Sequence, residues 1–398
     1  MKVDRERLIF LIKIYIINFT IISSLFYISL FYLNRPYYPY TPLWQPSLRL
    51  GDLLEGYLYI TNGNPYLNSE AFTVANYPPF GYFFYELLNL LNIEKLQHLV
   101  LLYLTALVPV FFLVKKSFQI KKDVFILFFL IFLNYPFFFS LERGNLEIFV
   151  SYFIIVSYFV KNEYVKAFYI SIAASLKFTP LIFLFIFFNN KKFKFFIFGL
   201  GNFLVINFFS FSFFKGNNLK EFKIFIHNVV NWIDWSQPSA DNTLGLWDPI
   251  SSFYAYYLKI NVPETIIIIY QTVMFFILVI ILFVIWKYNY SYIFCYSIIS
   301  IYYVIAPAKS YTYKYAVVIF VILYFIDQEN TYNKFYLSAV AFTFFPLDFV
   351  IYFERFELNS ITTPIICFIT LVYLLSKKQL NKKLNISENQ ITISDNNI

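Results

Sequence analysis

The chain has 398 residues, of which 60% are hydrophobic and only 14% charged, with 31 Lys and Arg against 23 Asp and Glu. That balance reads against a soluble domain, because apolar runs long enough to cross a bilayer recur from Leu8 to Ser376. The net charge of +8 is not a nucleic-acid signal, since much of it lies in short Lys clusters between apolar runs, where membrane proteins carry their cytoplasmic charge.

In chain order, a charged start over Met1–Arg7 leads into an apolar stretch at 8–33. This stretch exceeds a signal-peptide core and has no small-residue cleavage site, so it reads as an uncleaved first span. A long hydrophilic loop follows, from Asn34 to about Lys95. Inside it, 77–91 (YPPFGYFFYELLNLL) reads either as a span or as a helix at the interface. Further spans are predicted at 97–114, 124–141, 146–160, 164–177, 180–189, 193–214, 264–286, 291–307, 314–327, 334–350 and 360–376. A second long loop runs from Lys215 to about Pro263, and the polar residues 377–398 read as a disordered cytoplasmic tail. Charge decides the status of 77–91. If it does not cross, 18 Lys and Arg fall inside and 12 outside, with Lys13 within a span; if it crosses, the count becomes 13 inside and 17 outside. The positive-inside rule selects the first arrangement. The expectation is an all-α polytopic bundle over residues 1–376, with about 12 spans, both termini cytoplasmic, and two long extracytoplasmic loops.

Against that apolar background the remaining polar residues stand out. Asp52 follows the first span within GDLLEGYLYITNGNPY, and a carboxylate among apolar neighbours at the outer face suits a general base. Glu55 lies three residues on, so a helix would put both acids on one face. In LERGNLEIF, Glu142 and Arg143 end one span, and Gly144 and Asn145 turn into the next. Arg grips phosphate as a fork. In AASLKFTP, Lys177 ends a small-residue helix and Thr179-Pro180 starts another, which places a cation where it needs an anionic partner. Lys309 and Lys314, in APAKSYTYKY, occupy an outward turn against the charge rule, as a phosphate site would require. The second loop holds Trp232, Trp235 and Trp247 with Asp234, Asp241 and Asn242; flat rings beside amides and carboxylates suit carbohydrate. His98 and His227 stand alone, Cys295 and Cys367 lie within apolar runs, and no phosphate-cradling Gly loop occurs, so neither a metal nor a nucleotide cofactor is expected.

The ordered set GDLLEGYLYITNGNPY (51–66), YPPF (77–80), ERGNLE (142–147), SIAASLKFTPLIFL (171–184), DNTLGLW (241–247) and PAKSYTYKY (307–315) resembles glycosyltransferase family 87, of the GT-C class. The resemblance implies a catalytic acid in the first outer loop, here Asp52, a polyprenyl-phosphate-linked sugar donor, and chemistry on the extracytoplasmic side of the cell membrane. With such a donor, Arg143, Lys177, Lys309 and Lys314 are the residues expected to bind its phosphate. Substrate contacts are expected from Glu55, Tyr77, Asn145, Trp235, Asp241, Asn242, Tyr311 and Tyr313; the last two stand in a turn where the family often has His. A glycan or glycolipid would be the acceptor. A polysaccharide polymerase and a lipid-linked-sugar flippase are the alternative readings. Most charges lie near the outer edge and no matching half is visible, which speaks against the flippase.

Overall fold

The computed structural model describes residues 50–61, 63–67, 75–93, 95–118, 140–141, 143–215, 218–231, 245–288, 290–307, 312–327, 352–353 and 356–376. They form helices α1 (Gly51–Ile60), α2 (Pro79–Leu90), α3 (Leu96–Phe118), α4 (Glu147–Phe159), α5 (Glu163–Leu176), α6 (Phe193–Phe211), α7 (Asn218–Asn231), α8 (Trp247–Ser252), α9 (Glu264–Lys287), α10 (Tyr292–Ile305), α11 (Ile319–Asp327) and α12 (Leu358–Ser376). 3₁₀ helices at Thr179–Lys191 and Thr312–Val318 join this set. One antiparallel pair of two-residue strands, Tyr352–Phe353 and Phe356–Glu357, precedes α12.

Local chemistry explains the boundaries that matter for the site. Helix α5 begins where the Asn162 side chain accepts hydrogen bonds from the backbone N–H groups of Tyr164 and Val165, satisfying two otherwise orphaned donors. It ends at Lys177, whose backbone is extended (φ −144°, ψ 139°). Two residues later Thr179-Pro180 starts the next helix, with proline in the first turn, where its fixed φ and missing N–H do no harm. Helix α9 carries Glu264 in its first turn and Lys287 in its last, each complementing the helix dipole.

The core lies among α4, α5, α10, α11 and the 3₁₀ helix Thr179–Lys191, with Phe183, Phe187, Tyr296, Tyr303 and Phe320 among its largest buried side chains. Helices α6 and α9 each join it along one face only, α6 through Phe195 and Phe211 and α9 through Ile281 and Ile285. Helix α9 buries Tyr270, Met274, Ile281 and Ile285 and exposes Ile268, Ile269, Phe275, Phe276, Ile280 and Phe283. Among the described residues α6 and α9 are the two helices long and apolar enough to cross a membrane.

Two such helices do not confirm the twelve spans expected, of which 8–33, 334–350 and nearly all of 124–141 lie outside the described residues. Helices α4 and α10, with 13 and 14 residues, rise only about 20 Å at 1.5 Å per residue and are buried almost all round. They are apolar because they fill the bundle. The run at 180–189, expected as an ordinary span, is a 3₁₀ helix. At about 2.0 Å per residue it reaches about a third further than an α-helix of equal length, which suits a short segment packed between longer neighbours. The run at 314–327 divides into a 3₁₀ turn and α11. The segment 77–91 gives the 12-residue α2, about 18 Å long and short of a hydrocarbon core of about 30 Å. The tail at 377–398 also lies outside the described residues.

Two polar clasps tie separate elements together. Glu163 accepts from Lys192 Nζ (2.8 Å) and the Tyr292 hydroxyl (2.8 Å), while Lys166 lies 3.5 Å from its other oxygen. Burial works to raise the Glu163 pKa, but Lys192, Lys166 and Tyr292 together hold it below the usual carboxylate value. At the other clasp Asn64 donates to Lys215 O and to Glu221 Oε1, both at 2.7 Å, tying the NGNPY segment to α7. Burial raises the pKa of Glu221.

Candidate functional site

The polar centre is built where the first turn of α1, the turn before α4 and the break after α5 meet. Asp52 lies in the first turn of α1, where the helix dipole favours a carboxylate. Its side chain is 14% exposed. Arg143 grips it as a fork: Nε donates to Oδ1 and Oδ2 at 3.2 and 3.1 Å, and Nη2 donates to Oδ1 at 2.5 Å. Asn145 Nδ2 donates to Asp52 Oδ2 at 2.5 Å.

Gly144 makes that grip geometrically possible. Its φ of +68° lies in the left-handed region, and a Cβ there would fall 2.6 Å from Leu53 Cβ on α1. Only glycine lets the turn approach α1 closely enough to put Arg143 and Asn145 on the same carboxylate. Gly144→Ala should therefore cost about 1–2 kcal/mol for the left-handed conformation, with overlap against Leu53 adding to that. We expect a lower thermal unfolding midpoint in purified protein and a loss of any activity that depends on Asp52.

Asn145 is the hinge of the network. Its Oδ1 accepts from Lys177 Nζ at 2.7 Å and from the Glu147 backbone N–H at 2.9 Å. The amide therefore presents N–H to a carboxylate and oxygen to an ammonium, an orientation its neighbours dictate. Asn145 N–H donates to Ser140 O, and Ser140 Oγ donates to Asn145 O, which fixes the turn. Lys177 Nζ also lies 3.2 Å from Glu147 Oε2 and 5.3 Å from the centroid of the Tyr77 ring. Tyr77 in turn stacks on Tyr82 and Tyr85. Helix α2 reaches this position because Gly81 packs against the carbonyl of Leu176, where an added Cβ would come within 2.6 Å.

Beyond Lys177 the network continues inward. Glu147, fully buried at the start of α4, accepts a very short hydrogen bond from the Tyr303 hydroxyl through Oε1. The buried Lys314 places Nζ 5.5 Å from the centroid of the Tyr303 ring. Two carboxylates and three cations thus occur in one chain of contacts through an otherwise apolar interior.

The structure brings together Asp52, Arg143, Asn145, Lys177 and Tyr77, with Lys314 at the far end. Glu55 lies one turn from Asp52 and accepts from the Tyr59 hydroxyl at 3.3 Å. Tyr313 falls in the 3₁₀ helix Thr312–Val318. Glu142, Lys309, Tyr311, Trp232, Asp234, Trp235, Asp241 and Asn242 lie outside the described residues. Trp247 corrects the carbohydrate-stacking expectation for that position: it is 1% exposed and packs on Tyr270 with a centroid distance of 4.9 Å, so its face is used up in the core. Sequence reasoning passed over Glu147 and Tyr303. The signal for Glu147 was present, since an acid one residue inside the predicted span 146–160 calls for a partner.

Among the described residues no group of three or more His, Cys, Asp or Glu is placed to hold a metal ion. A family model described as glycosyltransferase family 87 matches residues 75–302, more than half of the chain. The match includes Arg143, Asn145, Glu147 and Lys177, while Asp52 precedes it and Lys314 follows it. No curated protein and no solved structure matches the chain significantly.

Proposed function

The chain belongs to glycosyltransferase family 87, and from that membership we propose that it moves a sugar from a polyprenyl-phosphate-linked donor to an acceptor hydroxyl on the extracytoplasmic side of the cell membrane. Membership makes it a glycosyltransferase, with a sugar donor and an acceptor as substrates. The donor type, the side of the membrane and the residue roles are our reading. The observation that carries it is the arrangement of one carboxylate, Asp52, against Arg143 and, through Asn145, against Lys177.

In this reading Asp52 accepts the proton of the acceptor hydroxyl as its oxygen attacks the anomeric carbon. The bond from that carbon to the phosphate oxygen breaks, and the electron pair leaves with the lipid phosphate. Attack from the face opposite the leaving group inverts the anomeric centre. Preorganised cations lower the barrier by meeting charge where it develops, a task assigned to Arg143 and Lys177, with Lys309 and Lys314 on the late turn. Arg143 is forked on Asp52 in the structure, so a donor phosphate would compete with that carboxylate for the same guanidinium. Glu55, Tyr77 and Asn145 would contact substrate from the first loop and the helix turn, and Trp235, Asp241, Asn242, Tyr311 and Tyr313 from the outer loop and late turn.

A GT-C-like bundle embedded in the cell membrane, with cytoplasmic termini, accommodates this chemistry. The exposed apolar faces of α6 and α9 and the cytoplasmic bias of the Lys clusters support it. The direct test supplies purified protein with a single-sugar polyprenyl-phosphate and a hydroxyl acceptor. We expect stoichiometric release of polyprenyl phosphate and product of inverted configuration. A requirement for preassembled oligosaccharide repeats would favour a polymerase instead, and movement of donor across liposomes without chemical change would favour a flippase.

A further inference from the structure

Glu147 is a fully buried carboxylate for which the proposed reaction has no role. Its side chain is 0% exposed, and a buried carboxylate is tolerated only when paired and hydrogen-bonded. Its two oxygens face different partners. Oε2 lies 3.2 Å from Lys177 Nζ, and Oε1 accepts from the Tyr303 hydroxyl. Its own backbone N–H donates to Asn145 Oδ1, the atom to which Lys177 also donates. Glu147 therefore touches Lys177 once through its carboxylate and once through a shared amide acceptor. The start of α4 also lends the carboxylate a favourable helix dipole.

Lys needs such support. Its ammonium is a point charge on a flexible stem with no preferred direction, unlike the planar fork of Arg. Lys177 sits at a helix break, with extended backbone between α5 and the following 3₁₀ helix, so the local fold alone does not aim it. Asn145 accepts a hydrogen bond from the ammonium, and the Glu147 carboxylate lies within ion-pair distance of it. Tyr303 fixes Glu147 in turn, and its ring meets the ammonium of Lys314 at 5.5 Å.

We infer that Glu147, held by Tyr303, is a positioning residue that sets Lys177 as the cation meeting the donor phosphate. This rests on the reading of Lys177 as a phosphate-facing group. Glu147 itself touches no reacting atom; it acts through Lys177.

The test is a double-mutant cycle read by polyprenyl phosphate binding to purified protein, alongside donor kinetics. Glu147→Gln keeps the volume and an acceptor for Tyr303 but removes the charge. Glu147→Gln and Lys177→Gln should each weaken polyprenyl phosphate binding about tenfold and raise donor KM more than acceptor KM. Residues acting as one unit are non-additive, so the double variant should bind no more weakly than Lys177→Gln alone. Tyr303→Phe removes one hydroxyl and serves if Glu147→Gln does not fold; it should weaken binding less, again without adding to Lys177→Gln. Effects that multiply, or that fall equally on donor and acceptor, would overturn the inference. Wild-type protein that binds no polyprenyl phosphate would instead defeat the donor assignment beneath it.

Discussion

Asp52→Asn is expected to lower sugar transfer by roughly 10²–10⁴-fold, the span a positioned general base contributes. The variant keeps the size of the side chain and one oxygen for Arg143 to donate to, so the fork survives in part. It removes the acceptor for a proton. Asp52 and Arg143 are only 14% and 21% exposed, so loss of the charge should lower the unfolding midpoint, while the hydrogen bonds that the amide keeps should let the protein still fold and insert. Asp52→Glu sharpens the result. It preserves charge and pairing but moves the carboxylate by one methylene, so stability should hold while transfer falls at least tenfold. The measurement is turnover of a polyprenyl-phosphate sugar by each purified variant, beside its unfolding midpoint. An Asp52→Asn enzyme with full turnover removes Asp52 from the chemistry.

How much of this was readable beforehand depends on range along the chain. Local signals held well. The LKFTP segment predicted a helix break with Lys at its end, because Pro180 fixes a helix start and the preceding residues cannot all stay helical; α5 does stop at Leu176. Gly144-Asn145 predicted a turn, and the positive φ of Gly144 is that turn. What sequence did not specify was which distant groups meet. Arg143 and Asp52 are 91 residues apart, and Tyr303 and Glu147 are 156 apart. Nothing in one sequence ranks Tyr303 above the many other tyrosines. Apolar runs also left burial open: a buried bundle helix and a lipid-facing one share composition, so sequence did not show that α4 and α10 are buried almost all round. Trp247 misled similarly, since a ring beside Gly and Leu carries no mark of whether it faces sugar or packs on Tyr270.

Asn145→Asp should be as damaging as loss of the acid itself, and by a cause that an uncharged variant can expose. The amide now donates to Asp52 Oδ2 at 2.5 Å while accepting from Lys177 and from the Glu147 backbone. An aspartate there keeps the acceptor side and replaces the donor with a second carboxylate oxygen. Two carboxylates at hydrogen-bond distance cannot both stay ionised at low cost, so either the turn moves away from α1 or one proton is shared. At neutral pH we expect transfer to fall at least a hundredfold and Arg143 to be divided between two acids. Asn145→Ser is the control: it removes the donor toward Asp52 without adding a charge, so its loss of transfer should be smaller. Turnover of wild type, Asn145→Asp and Asn145→Ser, each purified, reads this directly. Full turnover in both variants would mean that Asn145 merely fills space, and the acid and Lys177 would then have to be treated as separate groups that happen to lie close together.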